Sequence, residues 1–359
     1  NPTAIIPTGA FKARLPDVFV SKTHFKRACR KLQGVSADKP IKNYRNQKRK
    51  HAAQSLDAVM KGLTVPITEI LNSYKQTLRS LHPFESTVAE LAITARVKAG
   101  SKHLSDILDD LKSLRAETSR VAKDFASRAN KADTAIEAEE LLEEGIATLR
   151  ELYEDPEGPG LVMADLVEIQ KDLRRIPVIE LNTPTVVLVG APNVGKSSIV
   201  RKISTGTPEV NDYPFTTRGV TIGHIVDTER HLRFQVMDTP GLLGRPSEER
   251  NEMEKLTFAS LAHLPTAVIF VIDPSGLSGE KSSLDKQLNV RNSLRERFPR
   301  RPWLDVVSKA DLDIPKEVLA RMPDGYLHVS TSSGSNVGEL RDEVECLMSN
   351  LRDMLQQMA

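Results

Sequence analysis

Apolar residues recur at helical spacing through the first half of the chain, most clearly at Leu104, Ile107, Leu108, Leu111, Leu114, Val121, Ala122 and Phe125. That stripe fits one buried face of a helix. Between His51 and Tyr153 only Pro66 and Pro83 interrupt the run. Each stands where a new helix can begin, because the missing N–H of proline costs nothing in a first turn. The pattern predicts about four antiparallel helices, a bundle over 51–155. Asp155-Pro156-Glu157-Gly158-Pro159-Gly160 is dense in chain breakers and reads as a hinge, so 156–182 becomes a linker whose helix runs from Leu161 to Arg175. From Thr185 the period changes. TVVLVG, VTIGHIV, LRFQVMD, AVIFVID, WLDVV and YLHVS alternate with helical stretches that start at Lys196, end at His263, span 284–298 and close the chain. Near-continuous apolar strands between helices predict a mostly parallel, doubly wound α/β sheet over 183–359, with VTIGHIV and LRFQVMD as an antiparallel hairpin at one edge. The fold class is therefore a helical bundle followed by an α/β domain.

Composition changes this picture at one end only. Hydrophobic residues make up 39% and charged residues 27% of 359 positions, which excludes a wholly disordered or fibrous chain, and no apolar stretch is long enough for a membrane span. The net charge of +2 conceals thirteen Lys/Arg in residues 1–50 against Asp17 and Asp38. A segment that basic reads as an arm without a core of its own, lying on polyanions, RNA first among them. The acidic run Glu137 to Glu144 reads as a solvated helix face. Cys29 and Cys346 are too few and too far apart for a disulfide framework or a zinc site and read as ordinary buried thiols. Residue 1 is Asn rather than Met, so the chain is expected to be processed or trimmed.

The chemistry gathers in the second half. Gly190-Ala191-Pro192-Asn193-Val194-Gly195-Lys196-Ser197 fits G-x-x-x-x-G-K-[ST] directly between a strand and a helix. Its backbone N–H groups, with Asn193, Val194, Gly195 and Ser198 in or beside the loop, are expected to face phosphate at a helix N-terminus. Lys196 would neutralise β- and γ-phosphate charge, and Ser197 would offer a hydroxyl to Mg²⁺. Asp238-Thr239-Pro240-Gly241 closes LRFQVM, which puts a carboxylate where it can hold the same Mg²⁺ through water and lets the Gly241 N–H approach the γ-phosphate. Between them, Tyr213-Pro214-Phe215-Thr216-Thr217-Arg218-Gly219 reads as a switch loop whose Thr217, preferred over Thr216, completes the metal shell when triphosphate is bound. Ser308-Lys309-Ala310-Asp311 follows WLDVV. A carboxylate at Asp311 accepts from guanine N1–H and N2–H, a donor pair adenine lacks, so GTP and GDP are the expected ligands. Lys309 would lie along the base, and Ser330-Thr331-Ser332 would close the pocket with an N–H to guanine O6. His82, His224 and His263 lack ligand spacing and read as ordinary histidines.

The whole run resembles the translation-factor-related GTPases of the Obg-like branch. YPFTTRGVTIGH, DTPGLLGRPSEE and RRIPVIELNTPTVVLVGAPNVGKSS look like the nucleolar GTP-binding protein 1 family over about residues 160–312. The resemblance implies a P-loop GTPase domain behind a helical bundle. It also implies GTP hydrolysis in assembly of the large ribosomal subunit, through ribosomal RNA, large-subunit ribosomal proteins and other assembly factors, as a monomer within a large ribonucleoprotein. Lys196, Thr217, Asp238 and Gly241 would then be the catalytic set.

Departures from that family sharpen the expectation. Ser308 stands where its guanine motif opens with Asn, too short for the same bridge between base and phosphate loop, at a cost of about 1 kcal/mol in affinity. The family's long C-terminal extension is absent and the segment ahead of the bundle is markedly basic, which with Asn1 points to the mitochondrial matrix over the nucleolus. Leu242 follows Gly241 where many switch GTPases carry a water-orienting glutamine, so turnover should be slow without an activator. Related GTPases with a hydrophobic residue there use K⁺ held by the loop asparagine, here Asn193. The alternative is a catalytically weak, nucleotide-bound RNA-binding placeholder in a pre-ribosomal particle.

Overall fold

The computed structural model describes residues 14–34, 43–216, 219–227, 232–244 and 250–358. These fall into two compact units, one from the described residues of Ala10–Leu81 and Ile93–Arg174, the other from those of His82–Ala92 and Arg175–Ala359.

The first unit is helical. Helices α1 (Ser21–Cys29), α2 (Tyr44–Arg79), α4 (Leu104–Lys131), α5 (Ala135–Glu154) and α6 (Val162–Arg175) belong to it, while α3 (Pro83–Lys98) begins in the second unit and ends in the first. The apolar stripe on α4 is buried at every predicted position except Leu108, which is half-buried. It packs with Leu56, Leu63, Ile67, Leu149 and Tyr153 among the most deeply buried side chains, each worth roughly 1.5–3 kcal/mol when fully withdrawn from water. Glu139, Glu140, Glu143 and Glu144 are exposed on α5, as a solvated face requires.

Two expectations about this unit need correction. Pro66 does not start a helix; it lies inside the 36-residue α2, and only Pro83 opens one. Proline removes the donor for the Gly62 carbonyl. The helix continues here with one tertiary tie, the His24 Nε2 on the Leu63 carbonyl at 2.9 Å, while inside the helix the Thr64 and Thr68 hydroxyls each donate to the carbonyl four residues back. Nor is 1–50 an arm free of the core. Within it, α1 buries His24, Phe25 and Ala28, with His24 stacked on Tyr153 at 5.8 Å, and α2 already begins at Tyr44. The charge count missed this because Lys22, Lys26 and Arg27 fall on the other positions of an amphipathic helix. Residues 1–13 and 35–42 lie outside the described residues.

The second unit holds a seven-stranded sheet in the order β2-β3-β4-β1-β5-β6-β7. Its strands are β1 (Thr185–Gly190), β2 (Glu209–Asn211), β3 (Val220–Asp227), β4 (Leu232–Asp238), β5 (Thr266–Ile272), β6 (Trp303–Val307) and β7 (Leu327–His328). Pairs β4–β1–β5–β6–β7 are parallel, and β2–β3–β4 are antiparallel. The predicted hairpin is therefore present, but the short β2 lies outside it. The predicted YLHVS strand shrinks to two residues. Strands β1 and β5 are buried throughout, which is why they carry almost nothing but aliphatic side chains. Helices α7 (Lys196–Ile203), α8 (Glu252–His263), α9 (Leu284–Arg297), α10 (Lys316–Leu319) and α11 (Val337–Met358) complete the unit. Among the described residues no helix is long and apolar enough to cross a membrane, and no group of three or more His, Cys, Asp or Glu gathers as a metal cluster. Both cysteines are free, and neither is fully buried as expected: Cys29 is half-buried and Cys346 exposed.

Candidate nucleotide-binding cleft

A parallel strand followed by a helix carries the chain past the sheet's carboxyl edge, where side chains from separate strands meet. The loop between β1 and α7 turns there. Gly195 sits at φ 99°, a left-handed conformation that a side chain disfavours, and it is the N-cap of α7. Lys196 is 6% exposed, with its ammonium on the carbonyls of Ala191 (2.8 Å) and Gly190 (3.3 Å). Burial pushes its pKa down to about 8, against the pull of the Asp238 carboxylate.

Asp238 ends β4 beside it. Burial raises its pKa, opposed by a hydrogen bond from the Ser197 hydroxyl and by the charges of Lys196 and Arg201. Ser197 occupies one carboxylate oxygen, Oδ2, while Oδ1 is buried without a hydrogen-bond partner. A hydroxyl next to an orphaned carboxylate oxygen is an all-oxygen donor pair of the kind a hard divalent cation takes, so these residues fit Mg²⁺. The following turn is fastened to the loop: Thr239 Oγ1 donates to Leu188 O at 2.6 Å and the Leu242 N–H to Gly190 O at 3.0 Å. At Gly241 an added Cβ would lie 2.5 Å from the Pro192 nitrogen, so only glycine permits this approach. Leu242 itself is 3% exposed, its side chain packed away from solvent. Thr217, expected on the metal, and Arg218 lie outside the described residues, as do residues 245–249 of the phrase DTPGLLGRPSEE. Thr216 is described, and its hydroxyl donates to Tyr213 O at 3.0 Å.

Two adjoining cavities open along this edge and share Asn193, Gly195 and Ser198. The larger, about 600 Å³, is lined by Lys196, Ser197, Asp238 and Gly241; the smaller, about 310 Å³, by Ser308, Lys309, Asp311, Thr331 and Ser332. Two assigned residues sit elsewhere. The Val194 side chain is fully buried in the sheet's core, so only its backbone is available to a ligand. Ser330 is fully buried too, its hydroxyl donating to Asp311 Oδ1 at 2.5 Å and its N–H to Ser335 O. It therefore orients Asp311 from behind, and Thr331 and Ser332 are the residues placed to close the pocket.

Ser308 differs from expectation in a telling way. Its hydroxyl donates to Val194 O at 2.7 Å, so the tie from the base motif to the phosphate loop exists despite the short side chain. The sequence reading also passed over Asp273, which follows β5 as Asp238 ends β4 and is 1% exposed. Lys309 pairs with its Oδ2 at 2.6 Å. A carboxylate after an apolar parallel strand was the available signal. Of the histidines, His82 accepts the Phe84 N–H at 3.2 Å as a helix-start cap, consistent with an ordinary role.

The family described as NOG1 N-terminal helical domain matches residues 11–180, and the one described as 50S ribosome-binding GTPase matches residues 185–309. The chain is 27% identical over 302 residues to nucleolar GTP-binding protein 1 of Drosophila melanogaster, covering 84% of this chain and 43% of that protein. The nucleolar GTP-binding protein 1 family is the one these matches support. The chain's relative of that name in Arabidopsis thaliana is 36% identical over 193 residues, or 53% of this chain and 28% of the relative. The matched part thus spans less than half the length of these nucleolar GTP-binding proteins. A crystal structure of a Plasmodium falciparum nucleolar GTP-binding protein 1 covers 50% of this chain and 92% of its own, at 29% identity and a TM-score of 0.38.

Proposed function

We propose that the chain binds and hydrolyses GTP as an assembly factor acting on the large ribosomal subunit precursor through ribosomal RNA. The observation that carries this reading is the placement of Lys196, Ser197 and Asp238 in one cavity and of Lys309 and Asp311 in the cavity adjoining it. In this reading Asp311, aimed by Ser330, accepts the two guanine donors. Lys196 neutralises phosphate charge at a helix N-terminus. Ser197 and Asp238, with Thr217, would hold Mg²⁺, which when bound neutralises charge on the phosphate oxygens. Gly241 offers its N–H toward the γ-phosphate.

Leu242 has no polar group to orient a water, so turnover by the isolated chain is slow. Asn193, exposed at the junction of both cavities, is the residue assigned to K⁺. Residues 183–359 serve as the GTPase domain, 51–155 as the bundle, 156–182 as the linker, and the basic 1–50 as an RNA contact. Ribosomal proteins of the large subunit and other assembly factors are the remaining partners, met as a monomer within the particle. The relatives' names favour the nucleolus. The expectation of the mitochondrial matrix finds no support in those names, and imaging of the tagged full-length protein decides between the two.

Leu242 also supports the second reading, a nucleotide-bound placeholder that scarcely turns over. Single-turnover hydrolysis of GTP with purified precursor particles, in potassium and in sodium salts, separates the two. Stimulation by particles supports the assembly GTPase; no turnover with or without them supports the placeholder. Equal rates in both salts remove the K⁺ assignment.

A further inference from the structure

Asp273 lies outside every motif the nucleotide reading uses, yet four donors converge on its buried carboxylate. Oδ1 accepts the Ser275 N–H at 2.9 Å and the Ser275 hydroxyl at 2.6 Å. Oδ2 takes the Lys309 ammonium at 2.6 Å, and the Ser278 hydroxyl lies within reach of it. The same Ser278 hydroxyl is 3.0 Å from the Asn193 carbonyl in the phosphate loop, and Lys309 Nζ is 3.5 Å from Ser278 Oγ. A hydroxyl has one proton, and Ser278 shares it between the carboxylate and the loop carbonyl in a three-centre bond. The backbone of Asp273 is itself clamped by buried Gln287, whose amide accepts its N–H and donates to its carbonyl, both at 2.9 Å.

A carboxylate so enclosed would be costly to charge if it stood alone. Burial acts to raise its pKa, but the hydrogen bonds from Lys309, Ser275 and Ser278 hold it below the ordinary aspartate value. The negative charge is thus a fixed part of the fold. Its two outward ties run to different ends of the cleft: Lys309 in the base cavity and, through Ser278, Asn193 of the phosphate loop. Both tied residues have left-handed backbone, φ 59° at Lys309 and φ 63° at Asn193. Side chains disfavour that conformation, and surrounding contacts must impose it.

We propose that Asp273 is a positioning residue that locks the base-binding and phosphate-binding halves of the cleft together, holding Lys309 directly and Asn193 through Ser278. The inference rests on the guanine-nucleotide reading above. Ser308 makes a parallel tie to Val194 O, so base motif and phosphate loop are joined at two points by hydroxyls where one long amide would otherwise reach.

Displacement of a fluorescent guanosine diphosphate from the full chain, by guanosine alone and by inorganic pyrophosphate alone, reads the two halves separately. Asp273→Asn keeps the volume and removes the charge, and it should weaken both competitors by about tenfold, the scale of one charge-assisted hydrogen bond. Lys309→Met should act mainly on guanosine and Ser278→Ala mainly on pyrophosphate. In the Lys309→Met background, Asp273→Asn should add little to the guanosine loss, because the partner is already gone. Unchanged constants in Asp273→Asn overturn the inference, as does a full further tenfold guanosine loss in the double variant. Should Asp273→Asn fail to fold, Ser278→Ala decides, since a pyrophosphate constant equal to the parent's removes the tie to the loop. A parent chain that binds no guanosine diphosphate overturns the nucleotide reading itself, a result distinct from all of these.

Discussion

The two ends of the cleft solve opposite problems. At the phosphate end, polar groups are left short of partners: Asp238 Oδ1 has none, and the Lys196 ammonium rests on two backbone carbonyls. At the base end each side chain is already steadied by a protein partner, Asp311 Oδ1 by Ser330, Lys309 by Asp273 and Ser308 by Val194 O, while Asp311 keeps acceptor capacity for a base. An incomplete end gains most from a highly charged ligand, because charges withdrawn from water interact strongly with what arrives. A steadied end gains by not moving, so its contribution is selectivity. Affinity should therefore depend chiefly on Lys196 and Asp238, and discrimination on Asp311.

The largest test of this division is Lys196→Ala. Removing a buried cation from a diphosphate site should weaken guanosine diphosphate by about a hundredfold, or roughly 3 kcal/mol. The preference for guanine over adenine should survive in whatever binding remains. A titration in which affinity drops less than about fivefold would place the phosphate energy in the loop N–H groups instead.

Asp311→Ala should do the reverse. Loss of two hydrogen bonds to a charged acceptor should cost about 2 kcal/mol, or roughly thirtyfold, for guanosine nucleotides while leaving pyrophosphate binding unchanged. Adenosine diphosphate should then compete almost as well as guanosine diphosphate. If the guanine preference persists, Thr331, Ser332 and backbone groups make the choice.

A pH series sharpens the contrast further. Burial lowers the Lys196 pKa to about 8, below the roughly 10.4 of a free lysine. Between those values the unfolded chain carries a proton that the fold does not, so this group's cost to stability is fully present below about pH 8 and fades as pH rises toward about 10.4. Phosphate favours the charged lysine, so binding at pH 8.5 should take up a proton, and affinity should fall up to about tenfold per pH unit above 8. Calorimetry in buffers of different ionisation enthalpy detects the uptake. Lys196→Arg should abolish it, because a guanidinium stays charged. No uptake in the parent chain means that the ammonium is already charged at that pH.

How much of this was readable in the residues follows the same divide. The phosphate loop, the Asp238 turn and the alternation of strands and helices around them were visible because glycine spacing and apolar runs are local signals. Asp273 was not, since its meaning depends on three loops meeting over a sheet edge. Ser330 was read as a ligand contact, and only its burial reveals that it holds Asp311. In the helical unit the stripe on α4 was plain, whereas the passage of α2 through Pro66 comes with a tie to His24 on another helix, a contact no period encodes. The basic start misled in the same way: charge was counted along the segment, and the buried face of α1 was lost in the sum.

Ser308 gives the smallest test, and the structure alters its meaning. Read as a missing asparagine, it should cost about 1 kcal/mol of guanine affinity. The hydroxyl nevertheless reaches Val194 O at 2.7 Å and is 4% exposed, so one of the two links an amide would supply is already made. Ser308→Asn can add only the link toward the base, and should tighten guanosine diphosphate by no more than about fivefold. Ser308→Ala should loosen both competitors, guanosine and pyrophosphate, by a similar factor, because it removes a tie between the halves and leaves the buried Val194 carbonyl without that donor. The pair of variants is informative together. A loss in Ser308→Ala confined to guanosine would mean that the serine acts on the base alone, and that the base end stands independently of the loop beside it.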